Sequence, residues 1–233
     1  MARSRRKNTK QLEVQDNRVK INKTQPKSEG QEYLQKILDC NKYSRILVTG
    51  PSGSGKTRFI SEKVAEKYLS GKIDKIYLVR SLEPVSEENE IGWLKGDIEA
   101  KMLPWVAPIL QHLGKFLPVS DMISNKEIEF IPLEMIRGLS LESEIGCVVF
   151  ATEIQNISIG AYKALLTRVG KNCTLYMDGD EEQSDRSPTD LMEIFERLDA
   201  TVHRFSWVDL CDDDIFRDKD TVDILKVFRE LGY

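Results

Sequence analysis

Residues 45–57 read Arg45-Ile46-Leu47-Val48-Thr49-Gly50-Pro51-Ser52-Gly53-Ser54-Gly55-Lys56-Thr57, a short apolar run that empties into a glycine-rich loop. Apolar and β-branched residues without alternation describe a strand buried on both faces, as in parallel sheets. The glycines behind it let backbone N–H groups turn inward around anionic oxygens. The loop then opens a helix, whose partial positive charge favours the same anion. Lys56 reaches β- and γ-phosphates as a point charge on a long stem, and the Thr57 hydroxyl ligates Mg²⁺. Gly50, Pro51, Ser52, Gly53, Ser54, Gly55, Lys56 and Thr57 are therefore the candidate nucleotide-binding residues. The plain alternative, an ordinary glycine turn, is disfavoured by the strand ahead and the helix behind.

Outward from the loop, helical and extended segments alternate. Gln31 to Leu38 has helical spacing, and the helix after the loop runs to about Leu69 with Ile60, Val64 and Tyr68 on one face and Gly71 as its cap. Ile76 to Val79 reads as a strand and Arg80 to Gly96 as a polar loop. A helix from Asp97 to about Leu117 is expected to break or restart at its prolines. Glu127 to Ile131, Cys147 to Ala151 and Thr174 to Met177 read as strands, and Ser158 caps a helix carrying Ile159, Tyr162, Leu165 and Leu166. A helix near Leu191 to Leu198, a strand near Val202 to Phe205 and a helix with Ile224, Phe228 and Leu231 close the chain. Such alternation predicts an α/β fold of three layers, a mostly parallel sheet with helices on both faces.

At 233 residues, 40% apolar and 31% charged, the chain holds one sizeable domain and an appendage. The best membrane candidate, Met102 to Leu117, is interrupted by Pro104, Pro108, His112 and Lys115, so no span is expected. The basic N-terminus lacks an apolar stretch behind it, so secretion is not indicated. Four scattered cysteines and two histidines argue against zinc. Cys147 and Cys173 open buried strands, where a thiol acts as a small hydrophobe, and this usage fits a reducing cytosol.

The net charge of −4 hides an asymmetry. Residues 1–28 carry Arg3, Arg5, Arg6, Lys7, Lys10, Arg18, Lys20, Lys23 and Lys27 against Glu13 and Asp16, on a body that is otherwise acidic. We read residues 1–28 as a basic flexible arm and residues 29–233 as the domain. The arm has the charge to hold nucleic acid phosphates, or simply to lie solvated or on its own acidic body.

Ligands of open parallel sheets sit at the carboxyl ends of the strands. Behind Ala151 comes Thr152-Glu153-Ile154-Gln155-Asn156, and behind Met177 comes Asp178-Gly179-Asp180-Glu181-Glu182-Gln183-Ser184-Asp185. A carboxylate there can polarise an attacking water, a role assigned to Glu153. The neutral amide of Gln183 can hydrogen-bond the γ-phosphate and sense its presence. Asp180 and Asp185 also have turn chemistry open to them.

Taken in order, Gly50 to Thr57, Asn89 to Lys101, Met135-Ile136-Arg137-Gly138, Glu153-Ile154-Gln155-Asn156, Leu166 to Gly170 and Gly179-Asp180 with Gln183 and Asp185 resemble the PhoH-like ATPases over residues 29–231. That resemblance implies a RecA-like P-loop core related to the first motor domain of superfamily 1 helicases. It also implies binding and hydrolysis of ATP with Mg²⁺, action on single-stranded RNA or DNA, and a ring-shaped homo-oligomer such as a hexamer. The expected location, from the cysteine usage and the lack of a secretory signal, is the cytoplasm, a host's if the chain is viral. By the same resemblance Gln31 contacts the adenine, and Arg168 and Arg217 are the candidate arginines for the γ-phosphate, one of them supplied by a neighbour.

The chain departs from the family pattern at two strand ends. The family's second motif carries an Asp before the Glu, where this chain has Thr152; its third motif carries Thr before Gly-Asp, where this chain has Asp178. A reciprocal exchange makes Asp178 the candidate metal-side carboxylate; plain decay leaves a nucleotide-binding module that hydrolyses poorly. Leu139 stands where the family usually has a second Arg, and the Arg80-Ser81 pair lacks the family's proline after the strand, both on loops that would face a polymer. A small-molecule kinase shares the loop but is disfavoured by the Gly179-Asp180 and Gln183 pattern and by the absence of an evident Arg-rich lid.

Overall fold

The structure, a computed structural model, describes residues 21–82, 98–180, 189–216, 222–224 and 227. Its centre is a six-stranded sheet, parallel throughout, in the order β3-β2-β4-β5-β1-β6. The strands are β1 (Arg45–Thr49), β2 (Lys75–Arg80), β3 (Ile128–Pro132), β4 (Cys147–Ala151), β5 (Cys173–Asp178) and β6 (Phe205–Asp209). The helices are α1 (Glu29–Asp39), α2 (Lys56–Leu69), α3 (Ile98–Leu113), α4 (Val119–Ser124), α5 (Ile159–Arg168) and α6 (Thr189–Thr201).

Alternate side chains of one strand point to opposite faces, so each strand feeds two cores. Ile46, Val48, Ile76, Leu78, Val148, Phe150 and Tyr176 pack under α1, α2 and α3 with Leu34, Ile60, Val64, Met102 and Ile109. Leu47, Val79, Val149, Leu175 and Met177 pack on the other side against Tyr162 and Leu165 of α5 and Phe195 of α6. The three-layer α/β arrangement is thus the one the alternation predicts, with an all-parallel sheet.

Three local expectations are corrected. Pro104 and Pro108 lie inside an unbroken α3. Both sit on its exposed side, while the buried stripe of Met102, Val106, Ile109 and Leu113 holds the helix together through them. The interruption comes instead after Leu113, and α4 restarts behind Pro118. The edge strand β6 begins where the sequence suggested it ends, at Phe205, and pairs in register with all of β1. Cys147 and Cys173, read as separate small hydrophobes, are direct partners across β4 and β5 and form a disulfide with a Cα–Cα distance of 4.4 Å.

The described end of the N-terminal segment is fixed to the body. Lys23 pairs with Asp39 and Glu66, and Thr24 donates from its backbone N–H and its hydroxyl to the two oxygens of Glu62. Ser28 caps α1 and donates to Asp214. The flexible arm, as expected for residues 1–28, therefore does not extend through residues 23–28; residues 1–20 lie outside the described residues. The other expectations that fall outside them are most of the 80–96 loop, Gln183, Asp185, Arg217 and the Phe228 and Leu231 positions.

Candidate nucleotide site

β1 ends at Thr49 and the chain wraps through Gly50, Gly53 and Gly55 with φ of +130°, +92° and +96° before α2 begins at Lys56. Only glycine takes such angles freely. Gly50 is also needed for space, because a Cβ there would lie 2.4 Å from the Leu210 carbonyl oxygen behind β6. Ser54 is fully buried under the loop and donates to the Pro51 carbonyl over 2.8 Å. Lys56 folds its ammonium back onto the carbonyls of Gly50 and Pro51 at 2.5 and 2.9 Å, at the mouth where phosphates would lie.

Gln31 is 4% exposed and does more than line this site. Its Nε2 donates to the carbonyls of Ser54 and Asp214 at 2.9 and 3.1 Å, and its Oε1 accepts from the Lys27 N–H at 3.0 Å. Both amide donors are thus spent on backbone, so Gln31 ties the loop to α1 and to the segment behind β6 and presents acceptor capacity alone to a ligand.

The strand ends β4 and β5 converge on the loop. Asp178 closes β5 and is 2% exposed; its Oδ2 accepts from the Thr57 hydroxyl at 2.7 Å and its Oδ1 from the Glu153 N–H at 3.4 Å. Burial raises the Asp178 carboxyl above its ordinary value, against the pull of hydrogen bonds from Thr152 and Thr57 and of the Lys56 charge, with Glu153 adding to the rise. Glu153 sits in the left-handed region at φ +56°, ψ +47°, which turns its side chain out of the β4 line. Such an angle in a residue other than glycine costs about 1 kcal/mol or more and is kept where the surroundings impose it. Gln155 supplies part of that: its Nε2 donates to Glu153 Oε2 at 2.7 Å, and its Oε1 accepts from the Asp180 N–H at 3.2 Å. Gly179 permits the approach, since a Cβ there would meet Ile154 and Gln155 at 3.1 and 3.2 Å.

A cleft of about 430 Å³ joins these groups. Lys56, Thr57, Glu153, Asp178 and Asp180 line it beside the loop, and Lys27, Phe216, Pro108 and His112 make up a second half of its lining. Lys27 lies over the Phe216 ring at 5.4 Å. The His112 Nδ1 is buried with no hydrogen-bond partner among the described residues, and burial, then Lys115 and Arg58, lower its pKa. Sequence reading missed this second half, and missed Gln155 as a holder of Glu153. The near-perfect Ser28 cap signal was the available hint that the chain before α1 is ordered.

Arg168 is not brought to this cleft. α5 leaves the carboxyl end of β4 and returns to the amino end of β5, so Arg168 at its last turn is exposed at the opposite edge of the sheet. Among the described residues no group of three or more His, Cys, Asp or Glu could by itself cage a metal ion. Mg²⁺ needs no such cage, since it is bound through one or two protein oxygens and substrate phosphates. The Thr57 hydroxyl beside a buried carboxylate is a donor set that fits it.

A glycine loop between a parallel strand flanked on both sides and its helix, with two acidic strand ends beside it, defines a P-loop NTPase of three-layer α/β build. The family model described as PhoH-like protein matches residues 23–229, and the chain belongs to that family. It is 30% identical over 164 residues to protein PhoH of Escherichia coli, covering 68% of this chain and 44% of that one. It is 29% identical over 154 residues to the PhoH-like protein of Synechocystis, covering 65% and 45%. The chain thus spans less than half the length of these relatives. Among solved structures, the Hef helicase domain of Pyrococcus furiosus aligns with a TM-score of 0.45 at 15% identity, covering 76% of this chain and 37% of that one. Among the described residues no helix is long and apolar enough to cross a membrane.

Proposed function

We propose that the chain is a Mg²⁺-dependent ATP hydrolase that works on single-stranded RNA or DNA as a homo-oligomeric ring in the cytoplasm. The observation that carries this reading is the convergence of Glu153, held by Gln155, and the Thr57–Asp178 pair on one end of the cleft. Backbone N–H groups of residues 53–57 and the Lys56 ammonium bind the phosphates. Thr57 and Asp178 would hold Mg²⁺, which would supply neutralisation of the charge that develops on the phosphates. Glu153 takes a proton from the attacking water as its oxygen bonds to the γ-phosphorus; the bond to the bridging oxygen breaks, and ADP leaves with that electron pair.

An arginine from a neighbouring subunit completes the site, since Arg168 faces away from the cleft of its own chain. Arg217 directly follows the cleft residue Phe216 and is the other candidate. The cleft's Gln31 acceptor, His112 and Phe216 suit a nucleobase, for which adenine is the proposal. Gln183 follows Asp180 by three residues and is proposed as the γ-phosphate sensor.

Phosphate release measured with and without single-stranded RNA or DNA, alongside mass in solution, tests the reading. Turnover stimulated by polymer in an oligomer supports it. Nucleotide binding without turnover supports the alternative, a regulatory or scaffold module, which the neutral Thr152 next to Glu153 favours.

A further inference from the structure

We propose that the acidic partner of the P-loop hydroxyl in this chain comes from β5, as Asp178, and that Thr152 at the end of β4 has become its support. This rests on the ATPase reading and names the group that serves its metal.

In P-loop NTPases Mg²⁺ lies between the loop Ser or Thr and an acidic strand end. The strand that delivers Glu153 is followed by Thr152, whose side chain is neutral and 6% exposed. Sheet order places β5 between β4 and β1, the strand that feeds the loop. Val48 is in register with Asp178, and Ala151 with Met177, so Asp178 and Thr152 stand side by side at the same level. Neighbouring strands are about 4.8 Å apart. A carboxylate on β5 is therefore one strand from the loop's strand, and one on β4 is two.

The hydrogen bonds run accordingly. Thr57 Oγ1 donates to Asp178 Oδ2 over 2.7 Å. The Thr152 side chain bonds to the same carboxyl, and the Glu153 N–H points at its Oδ1 from 3.4 Å. The residue without a charge thus holds the residue that carries one. Were Asp178 only a turn former ahead of Gly179, it would lie in solvent with its oxygens on its own backbone; instead it is 2% exposed and aimed across the sheet at the loop. Thr57 Oγ1 has a lone pair free of this hydrogen bond, so the hydroxyl and the Asp178 carboxylate together are the residues that would hold Mg²⁺, the hydroxyl keeping its proton.

The test measures affinity for a non-hydrolysable ATP analogue with and without Mg²⁺, by titration calorimetry. In the wild-type chain Mg²⁺ strengthens binding. Asp178→Asn, nearly isosteric, is expected to remove about tenfold or more of that gain while metal-free affinity stays close to wild type. The double variant Thr152→Asp with Asp178→Thr, which returns the charge to β4, is expected to recover most of it. A Mg²⁺ gain that survives Asp178→Asn overturns the assignment and leaves the ATPase reading standing. A wild-type chain that binds no analogue under either condition brings down both. Should Asp178→Asn fail to fold, substoichiometric Mn²⁺ with the analogue on the wild-type protein decides: the carboxyl ¹³C signal of Asp178 is expected to broaden before that of Glu153, and the reverse order overturns the assignment.

Discussion

Gln155 donates to Glu153 over 2.7 Å while its other amide atom receives the Asp180 N–H, so one neutral side chain braces the proposed base against the next strand end. Glu153 needs bracing, since its backbone is left-handed at φ +56°. Gln155→Leu is expected to lower kcat about tenfold or more while KM for ATP changes less than about twofold, because the amide orients the base and leaves the phosphates to the loop. Steady-state kinetics check this. A rise in KM with kcat preserved would place Gln155 in ground-state binding instead.

Gly50 and Gly71 both have positive φ but differ in surroundings. A Cβ on Gly50 would collide with the Leu210 carbonyl at 2.4 Å, whereas one on Gly71 meets nothing within 4 Å. Gly71→Ala is expected to cost about 1 kcal/mol, the left-handed penalty alone. Gly50→Ala adds displacement of the β6 exit and is expected to cost about 3 kcal/mol or more. Thermal melts should fall by about 2–4 °C in the first variant and about 6–12 °C in the second. Equal shifts would mean that Leu210 moves aside without cost.

How much of this was legible beforehand depended on whether the signal was local. The apolar run Arg45 to Thr49 and the glycines behind it carry their structure in their own residue types, and both stand as read. β6 was placed three residues early because it is an edge strand: among the described residues it pairs only with β1, so Trp207 is half-buried, Asp209 is exposed and its apolar pattern is weak. The prolines of α3 gave a true local signal that tertiary burial of Met102 and Val106 overrode. The Cys147–Cys173 pairing arises from strand register, which spacing along the chain does not show. Gln31 bonds to a carbonyl 183 positions away at Asp214, a contact with no local signature.

Lys67 gives a stability effect with a defined pH window. Burial first, then repulsion from Lys63 and Lys72, lowers its pKa from 10.5 to about 8, while its ammonium donates to the Thr174 hydroxyl at 2.7 Å. Between about 8 and 10.5 the unfolded chain binds the extra proton, so this group makes stability rise with pH through that window and penalises the fold in full below it. Lys67→Met removes the penalty. Urea unfolding at a series of pH values should show the variant gaining over wild type at pH 7, with the difference shrinking as pH climbs towards 10.5. A difference that does not vary with pH would mean that Lys67 titrates alike in both states.

The docked stretch around Thr24 determines where a truncation should be made. Glu62 grips Thr24 by its N–H and its hydroxyl, and residues 24, 25 and 27 form a wall of the cleft. Removing residues 1–20 takes away Arg3, Arg5, Arg6, Lys7, Lys10, Arg18 and Lys20 and leaves that wall in place. If the arm holds phosphates, binding to single-stranded RNA or DNA should weaken and its dependence on salt should flatten, while affinity for nucleotide stays unchanged. Removing residues 1–28 also deletes the Ser28 cap of α1 and the Lys27 contact to Gln31, so nucleotide affinity and melting temperature should fall as well. Polymer titrations at several salt concentrations, run beside nucleotide titrations on both truncations, separate the two roles. An unchanged salt slope after loss of residues 1–20 would rule the arm out as a polymer contact.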